Sequence, residues 1–246
     1  MFRTLIFCLS IFAVSAICSA DEKEPLKPAP IQVEANDWPW WRGPERNGIA
    51  NPDQNPPLKW SATENILWKS PIQGRGYSSP TVVGNRIFLA SADTENKTQF
   101  VLCYDRATGK QLWKTVVFTG GLSEKGNKKS THASSTVACD GTRVYINFIN
   151  NGAAYTSALT LDGRLVWQTK ITDYIIHQGY GSSPAIYQDL VIVSADNKGG
   201  GAIAAMNRAN GMLVWKIDRP KTPNYPSPII LEVAGKEQLL MTGCDL

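Results

Sequence analysis

The chain has 246 residues, of which 43% are hydrophobic, and this is enough to bury the core of one or two domains. Its 25 basic and 21 acidic residues give a formal net charge of +4, and they are spread along the sequence. A protein that binds nucleic acid usually concentrates its basic residues on one face. The even spread therefore argues against a nucleic-acid partner.

The first twenty residues have the order of a secretory signal peptide. Arg3 supplies the positive charge, an apolar run extends from Leu5 to Ile17, and small residues follow up to Ala20. The run is too short to span a bilayer as a helix. The sequence predicts cleavage after Ala20 and a mature protein that is periplasmic or secreted and not transmembrane. A lipoprotein anchored through Cys18 is the alternative, although the bulky Ile17 stands where such sites usually carry a small residue.

Cleavage would leave three cysteines, Cys103, Cys139 and Cys244. An odd number without a local pairing pattern argues against a disulfide framework, so we predict that they are core thiols. The chain has two histidines and neither a CxxC nor an HExxH spacing. The sequence therefore predicts no zinc site.

Residues 21–59 are predicted to form an extended arm rich in proline and tryptophan. Its first part is charged and proline-rich, which favours an extended tether. Trp38, Trp40 and Trp41 then follow within four residues. These rings could form a site for a cation or a stacked ligand. We favour an arm that attaches itself to the domain by burying them, because the prolines prevent regular structure and nothing nearby offers directed polar groups.

From residue 60 onwards the sequence consists of short predicted strands separated by turns. The first is at Asn65–Lys69. Four more follow, at residues 79–83, 86–90, 99–104 and 111–116. They are β-branched and aromatic runs bounded by Gly, Asn and Asp, which is typical of β-hairpins. Copies of this four-strand pattern occupy residues 135–167 and 183–215, and a further copy starts at residue 227 and reaches its second strand before Leu246.

Each complete copy ends in a cassette in which a glycine precedes a tryptophan by four residues. The three pairs are Gly109 with Trp113, Gly163 with Trp167, and Gly211 with Trp215. Successive cassette tryptophans are 54 (167 − 113) and 48 (215 − 167) residues apart. These distances fit the four-stranded blade of a β-propeller with loops of variable length.

The strand order and the cassette resemble the pyrroloquinoline-quinone-type β-propeller repeat, over residues 60–246. Similar proteins are quinoprotein-like propellers of bacterial envelopes, including the propeller lipoprotein of the outer-membrane β-barrel assembly machinery. The resemblance implies an all-β propeller of four-stranded antiparallel blades. It also implies that the cassettes dock neighbouring blades, and it gives this role to Trp113, Trp167, Trp215, Gly109, Gly163 and Gly211.

A blade of four strands has two faces to bury, so blades must stack, and closure of the ring removes the exposed ends. The sequence supplies about three and a half blades, which is too few to close a ring. The strand at Asn65–Lys69 resembles the last strand of a blade whose other strands are missing. We therefore expect an incomplete propeller with an N-terminal closing strand, taken from the front part of a longer protein.

A quinone-dependent dehydrogenase is the enzyme that the resemblance suggests. Such enzymes usually carry a vicinal disulfide and a calcium ion beside the quinone, yet this chain has no adjacent cysteines. Ala185 interrupts a GxSxG pattern, and Asn127 replaces the lysine of a phosphate loop. The sequence predicts no catalytic residue, no metal site and no cofactor. Pyrroloquinoline quinone and calcium are expected only if the chain is part of such a dehydrogenase.

One group of polar residues remains as a candidate ligand site. The loops that lead into the second and third copies carry His132, and His177 with Tyr180. In propellers such loops surround the central funnel, where ligands usually bind. Asp93 and Asp196 end matching Ser-Ala-Asp triplets after the second strands. For these acids we favour a role in hairpin turns, and for the histidines a structural role, over a polar ring that binds a ligand.

The sequence thus predicts an exported, non-catalytic binding or scaffolding propeller of the bacterial cell envelope, with envelope proteins or peptides as partners. The alternatives are a part of a pyrroloquinoline-quinone-dependent alcohol-type dehydrogenase, and a propeller sensor module of a larger protein. The sequence identifies no particular ligand or partner.

Overall fold

The computed structural model describes residues 26–124 and 126–243, and every regular element within them is a β-strand. The signal peptide predicted at residues 1–20 and Cys244 lie outside these residues. Within the described ranges, no helix has the length and apolar character needed to cross a membrane.

The described strands form three four-stranded antiparallel sheets, which we call blades 1 to 3, and a hairpin, which we call blade 4. Blade 1 contains β1 (Thr81–Val83), β2 (Arg86–Asp93), β3 (Thr98–Asp105) and β4 (Gln111–Thr119). Blade 2 contains β5 (Ala138–Cys139), β6 (Arg143–Asn150), β7 (Ala153–Thr160) and β8 (Leu165–Asp173). Blade 3 contains β9 (Ala185–Tyr187), β10 (Leu190–Ser194), β11 (Gly201–Asn207) and β12 (Leu213–Arg219), and blade 4 contains β13 (Ile229–Val233) and β14 (Lys236–Leu240). The prediction of four-stranded antiparallel propeller blades is confirmed.

The hydrophobic core lies between the blades. One cluster joins Phe88 and Val101 of blade 1 to Val144 and Ile146 of blade 2. A second joins blade 2 to blade 3 and includes Tyr145 with residues of β10 and β11. The middle strands β3, β6 and β11 are therefore almost wholly buried, whereas the fourth strands β4, β8 and β12 consist mainly of exposed and half-buried residues.

A β-bulge recurs between the third and fourth strands of each blade. The pairing shifts directly after Cys103–Trp113 in blade 1, and in the same way beside Trp167 in blade 2 and Trp215 in blade 3. A bulge bends its strand and increases the local twist. Here it lies beside the cassette tryptophan in all three blades, and so it belongs to the repeat.

The cassette tryptophan of blade 1 lies against the cassette glycine of blade 2. A Cβ on Gly163 would be 2.7 Å from the ring of Trp113, so only a hydrogen fits between them. The indole Nε1 of Trp113 donates to the carbonyl of Leu161 at 3.0 Å, and the hydroxyl of Thr115 donates to the carbonyl of Gly163. The turn and the ring therefore form one joint between two blades.

The same joint connects blades 2 and 3. A Cβ on Gly211 would be 2.6 Å from the ring of Trp167, whose Nε1 donates to the carbonyl of Arg208 at 3.1 Å. Thr169 donates to the carbonyl of Gly211 at 2.8 Å. The third cassette ring, Trp215, is half-buried and lines a pocket of about 200 Å³ with β13 and β14.

The short strand predicted at Asn65–Lys69 is not formed. This segment is extended but belongs to none of the sheets in the described structure, so its backbone has no strand to pair with. Its Trp68 nevertheless makes the same joint as the other cassette rings. The ring lies against Gly109, its Nε1 donates to the carbonyl of Arg106 at 3.0 Å, and Ser70 donates to the carbonyl of Gly109. The side-chain contacts of the joint therefore form although the backbone of this segment pairs with no described strand.

Residues 26–46 form an arm that contacts the face that carries the turns between first and second strands. Trp38 pairs with Val82 of β1 through two backbone hydrogen bonds of 2.7 and 2.9 Å. The carbonyl of Pro39 accepts from Cys139 of β5, and Arg46 donates to a carbonyl of β9. The arm thus contacts the first strand of blades 1, 2 and 3.

The three arm tryptophans differ in burial. Trp40 is 7% exposed and belongs to the core between blades 2 and 3, with the guanidinium of Arg46 4.8 Å from its ring centroid. Trp38 is half-buried, and Trp41 is 41% exposed. Trp40 is therefore the ring that anchors the arm most deeply.

The two described cysteines should resist alkylation in the folded protein. Cys103 and Cys139 are fully buried, and burial raises the pKa of both thiols to about 12. At pH 8 a thiol with this pKa is ionised in about one molecule in ten thousand, and the thiolate is the reactive form. Iodoacetamide followed by peptide mass spectrometry should therefore leave both residues unmodified in buffer and label both in 8 M urea. Rapid labelling of either residue in buffer would contradict their burial.

Candidate functional site

The loops that lead into blades 2 and 3, residues 120–137 and 174–184, lie at the opposite end of the blades from the arm. This follows from the antiparallel strand order, because the turns that the arm covers and these loops are at opposite ends of the strands. The two loops contact each other. Asn127 donates from its backbone to the carbonyl of Gln178 at 2.9 Å, and a Cβ on Gly179 would touch the side chain of Ser130. We call this surface the loop face.

Two adjoining pockets open on the loop face, and His132 lines both. The outer pocket has a volume of about 280 Å³ and includes Arg75 and Lys128 in its lining. The inner chamber has a volume of about 30 Å³ and includes Ser135 and Tyr180. Ser130 and Thr131 line both pockets as well. The structure therefore brings His132 and Tyr180, which the sequence nominated, to one site.

The imidazole of His132 is half-buried and makes no hydrogen bond to another described residue, whereas its backbone carbonyl accepts from Gln99 at 2.8 Å. Burial lowers the pKa of His132 below its ordinary value of 6.5. The ring is therefore neutral at pH 7 and offers one N–H donor and one acceptor nitrogen to the pockets.

Tyr180 has a structural bond in addition to its place in the chamber. Its hydroxyl donates to the carbonyl of Ser194 at 2.8 Å, and its ring packs edge-on against Tyr174 with the centroids 5.5 Å apart. Burial raises the pKa of Tyr180, so the hydroxyl stays protonated. The side chain supplies a fixed wall and no acid–base group near neutral pH.

His177 lies apart from these pockets. It is exposed, and its Nδ1 is 3.3 Å from the hydroxyl of Tyr225, which also accepts from the backbone of Gln178 at 3.2 Å. The two histidines nominated together from the sequence therefore do not form one site.

The two nominated aspartates have different surroundings. Asp93 accepts two backbone hydrogen bonds of 3.0 Å, from Glu95 and Asn96, and the side chain and backbone of Asn96 contribute most to a lowered pKa of Asp93. Asp196 is buried and faces the guanidinium of Arg219 through two contacts of 3.2 Å. Asp93 thus closes a hairpin turn, while Asp196 connects β10 to β12.

Sequence reasoning missed the buried ion pair between Asp140 and Arg208. Both side chains are at most 2% exposed, and the hydroxyl of Tyr145 donates to the same carboxylate at 2.8 Å. Arg208 holds the second cassette position, where blade 1 has the exposed Arg106. The sequence gives both positions the same residue type, so it contained no signal that separates the buried arginine from the exposed one.

The nominated residues do not fit a quinone site that holds calcium. The carboxylates of Asp93 and Asp196 are already occupied by turn amides and by Arg219. In residues 26–124 and 126–243, no three His, Cys, Asp or Glu residues are grouped so as to hold a metal ion. We therefore derive no step through such a cofactor.

The two histidines of the chain make a titration by nuclear magnetic resonance simple. We expect His132 to titrate below pH 6.5, because burial lowers its pKa. The folded state then favours the neutral ring, so stability is lost as the pH falls from about 6.5 through the lowered pKa. Urea unfolding should show a smaller loss between pH 7 and 5 in His132→Gln than in the parent protein. A His132 signal, assigned by its absence in this variant, that titrates at or above pH 6.5 would contradict the expectation.

Comparison with known families agrees with the architecture. The family model PQQ_2, described as outer membrane protein assembly factor BamB, matches residues 97–245, which is more than half of the chain. No curated protein matches the sequence.

Solved structures with a similar fold include two dehydrogenases. The quinohemoprotein alcohol dehydrogenase from Comamonas testosteroni is 18% identical with a TM-score of 0.51, and the match covers 74% of this chain and 27% of that one. The europium-containing methanol dehydrogenase is 16% identical with a TM-score of 0.49, and the match covers 75% of this chain and 32% of that one. At 18% identity the likeness to the alcohol dehydrogenase shows the fold alone, and the chain spans about a third or less of either structure.

Proposed function

Because the chain belongs to the family of the outer membrane protein assembly factor BamB, we propose that it is an exported, non-catalytic propeller of the bacterial cell envelope that binds a protein or peptide at its loop face. The predicted signal peptide supports export, and the name of the family supports a place at the outer membrane. The pockets on the loop face support a binding role.

The arrangement of hydrogen-bond donors and carboxylates on the loop face is the observation that carries this proposal. Arg75, Lys128 and His132 line open pockets and remain available to a ligand. Asp93 and Asp196, the acids nominated on the same face, are occupied within the fold. The face therefore offers donors that can hold a partner, and the two nominated acids have structural partners of their own, while Glu124 is an exposed acid in the lining of the outer pocket.

Site-directed photo-crosslinking in a bacterial host tests the proposal. A photoreactive residue at Lys129, which is exposed on the loop face beside the outer pocket, should capture a defined envelope protein, whereas one at the exposed Arg106, at the opposite end of blade 1, should not. The full chain should be recovered from the envelope fraction. Recovery from the cytoplasm alone, or equal capture at both positions, would contradict the proposal.

Titration with pyrroloquinoline quinone and calcium tests the alternative that the chain is part of a quinone-dependent dehydrogenase. We expect no saturable change in the absorbance of the quinone at micromolar protein. Binding with one quinone per chain would contradict a non-catalytic role.

A further inference from the structure

The outer pocket of the loop face has two cationic side chains from different segments of the chain. Arg75 belongs to the segment before β1, and Lys128 to the loop before β5. Neither takes part in an ion pair with a described residue. Glu124 is the one acid among the described lining residues, so the lining has two positive charges and one negative charge.

The guanidinium of Arg75 is exposed and contacts the side chain of Tyr77. Its backbone pairs with Ala92 through hydrogen bonds of 2.8 and 3.2 Å. Its head lies 5.1 Å from the ring centroid of Tyr77 and donates to the hydroxyl of that residue. A planar guanidinium with one N–H group bound to Tyr77 can present its remaining N–H groups to both oxygens of a carboxylate.

The inner chamber contains a buried hydroxyl without a partner. Ser135 is 1% exposed, and its Oγ has no hydrogen-bond partner among the described residues. Buried polar groups are almost always hydrogen-bonded, and the chamber volume of about 30 Å³ is close to that of one water molecule. His132 lines both this chamber and the outer pocket, as do Ser130 and Thr131.

We propose that these pockets bind the C-terminal carboxylate of a peptide, with Arg75 and Lys128 pairing with its oxygens and His132 donating from the chamber side. The inference rests on the proposed function and names the chemistry of the partner. Among its described lining residues the outer pocket has one guanidinium and one ammonium against one carboxylate, and this excess of positive charge suits an anion. The outer pocket of about 280 Å³ has room beyond the carboxylate for part of the last residue of the peptide.

The test uses acetyl-tetra-alanine with a free C-terminal carboxylate and its C-terminal amide. The free acid should shift the His132 resonance in a saturable manner. The amide should bind at least about tenfold more weakly, because it lacks the charged acceptor. Arg75→Gln and Lys128→Gln should each weaken binding of the free acid by about two- to fivefold. Lys129→Gln is the matched control, because this exposed neighbour does not line the pocket and should leave the affinity unchanged.

Equal shifts with acid and amide, or unchanged affinity in Arg75→Gln, would overturn the inference. Tighter binding of inorganic phosphate than of the free acid at His132 would also overturn it. Thermal melting of each variant shows whether it is folded. Capture of a partner at position 129 without carboxylate binding would refute this inference alone. Carboxylate binding without any captured partner would refute only the proposed function.

Discussion

Arg208→Met should lower the free energy of unfolding by about 3–5 kcal/mol, because it leaves a buried carboxylate without its cation. The Nη1 of Arg208 contacts Asp140, and both side chains are at most 2% exposed. Its Nε donates to the carbonyl of Gln188 at 2.7 Å, and its Nη2 donates to the carbonyl of Ala29 in the arm at 3.0 Å. One guanidinium thus connects blade 2, blade 3 and the arm. Equilibrium urea unfolding measures the effect.

The matched control is Arg106→Met, the same change at the same cassette position in blade 1. Arg106 is exposed, and its head makes one long hydrogen bond of 3.4 Å to the carbonyl of Gly84. We expect a change within about 0.5 kcal/mol, as for most surface substitutions. The double variant Asp140→Leu with Arg208→Met should be more stable than the sum of the single changes predicts, because no buried charge remains unpaired. Equal losses of unfolding free energy in Arg208→Met and Arg106→Met would show that the buried ion pair contributes no more to stability than the exposed arginine.

Trp167→Ala should cost about 3–5 kcal/mol of unfolding free energy, the usual loss for a large aromatic side chain in a core. The ring is 9% exposed, packs with Tyr145 at a centroid distance of 5.9 Å, and covers Gly211 of the next blade. Its loss removes the joint between blades 2 and 3. Trp41→Ala, a change of the same size at a ring that is 41% exposed, should cost much less. A similar loss in both variants would contradict the role of the joint.

The glycine side of the joint can be tested separately. Gly211→Ala places a Cβ 2.6 Å from the ring of Trp167 and also strains a φ of +73°. Gly152→Ala has a similar φ of +68° but open space around the added carbon. The second variant should therefore show only the backbone cost of about 1–2 kcal/mol, and Gly211→Ala should lose clearly more. Equal losses in urea unfolding would mean that the contact with the ring contributes nothing.

The blades could be predicted from the sequence because their information is local. Alternating strands, turn glycines and the repeated cassette lie within about fifty residues of each other, and a repeat displays the same local signal several times. The family resemblance and the four-stranded blades are confirmed. The prediction of a strand at Asn65–Lys69 was wrong. A strand also needs a neighbouring strand to pair with, and the pattern of a single segment does not specify one.

The site was only partly predictable, because it depends on which loops meet. His132 and His177 have similar positions in their copies, yet His132 lines the pockets and His177 lies outside them. Arg75 and Ser135 were not nominated, since neither belongs to a motif. Arg75 matters because its positive charge lines the outer pocket, and Ser135 because its buried hydroxyl has no partner among the described residues. Both features depend on packing between distant segments.

The arm has a consequence for the order in which the chain folds. The carbonyl of Ala29 accepts a hydrogen bond from Arg208, 179 residues further along the chain, whereas each hairpin pairs strands that are close in sequence. Contacts of such long sequence separation form late. At about 5–20 residues per second, synthesis of the intervening chain takes roughly 10–35 seconds. The arm is made first and can pair with β1 and β5 before blade 3 exists, but it can complete its contacts only after blade 3 has formed.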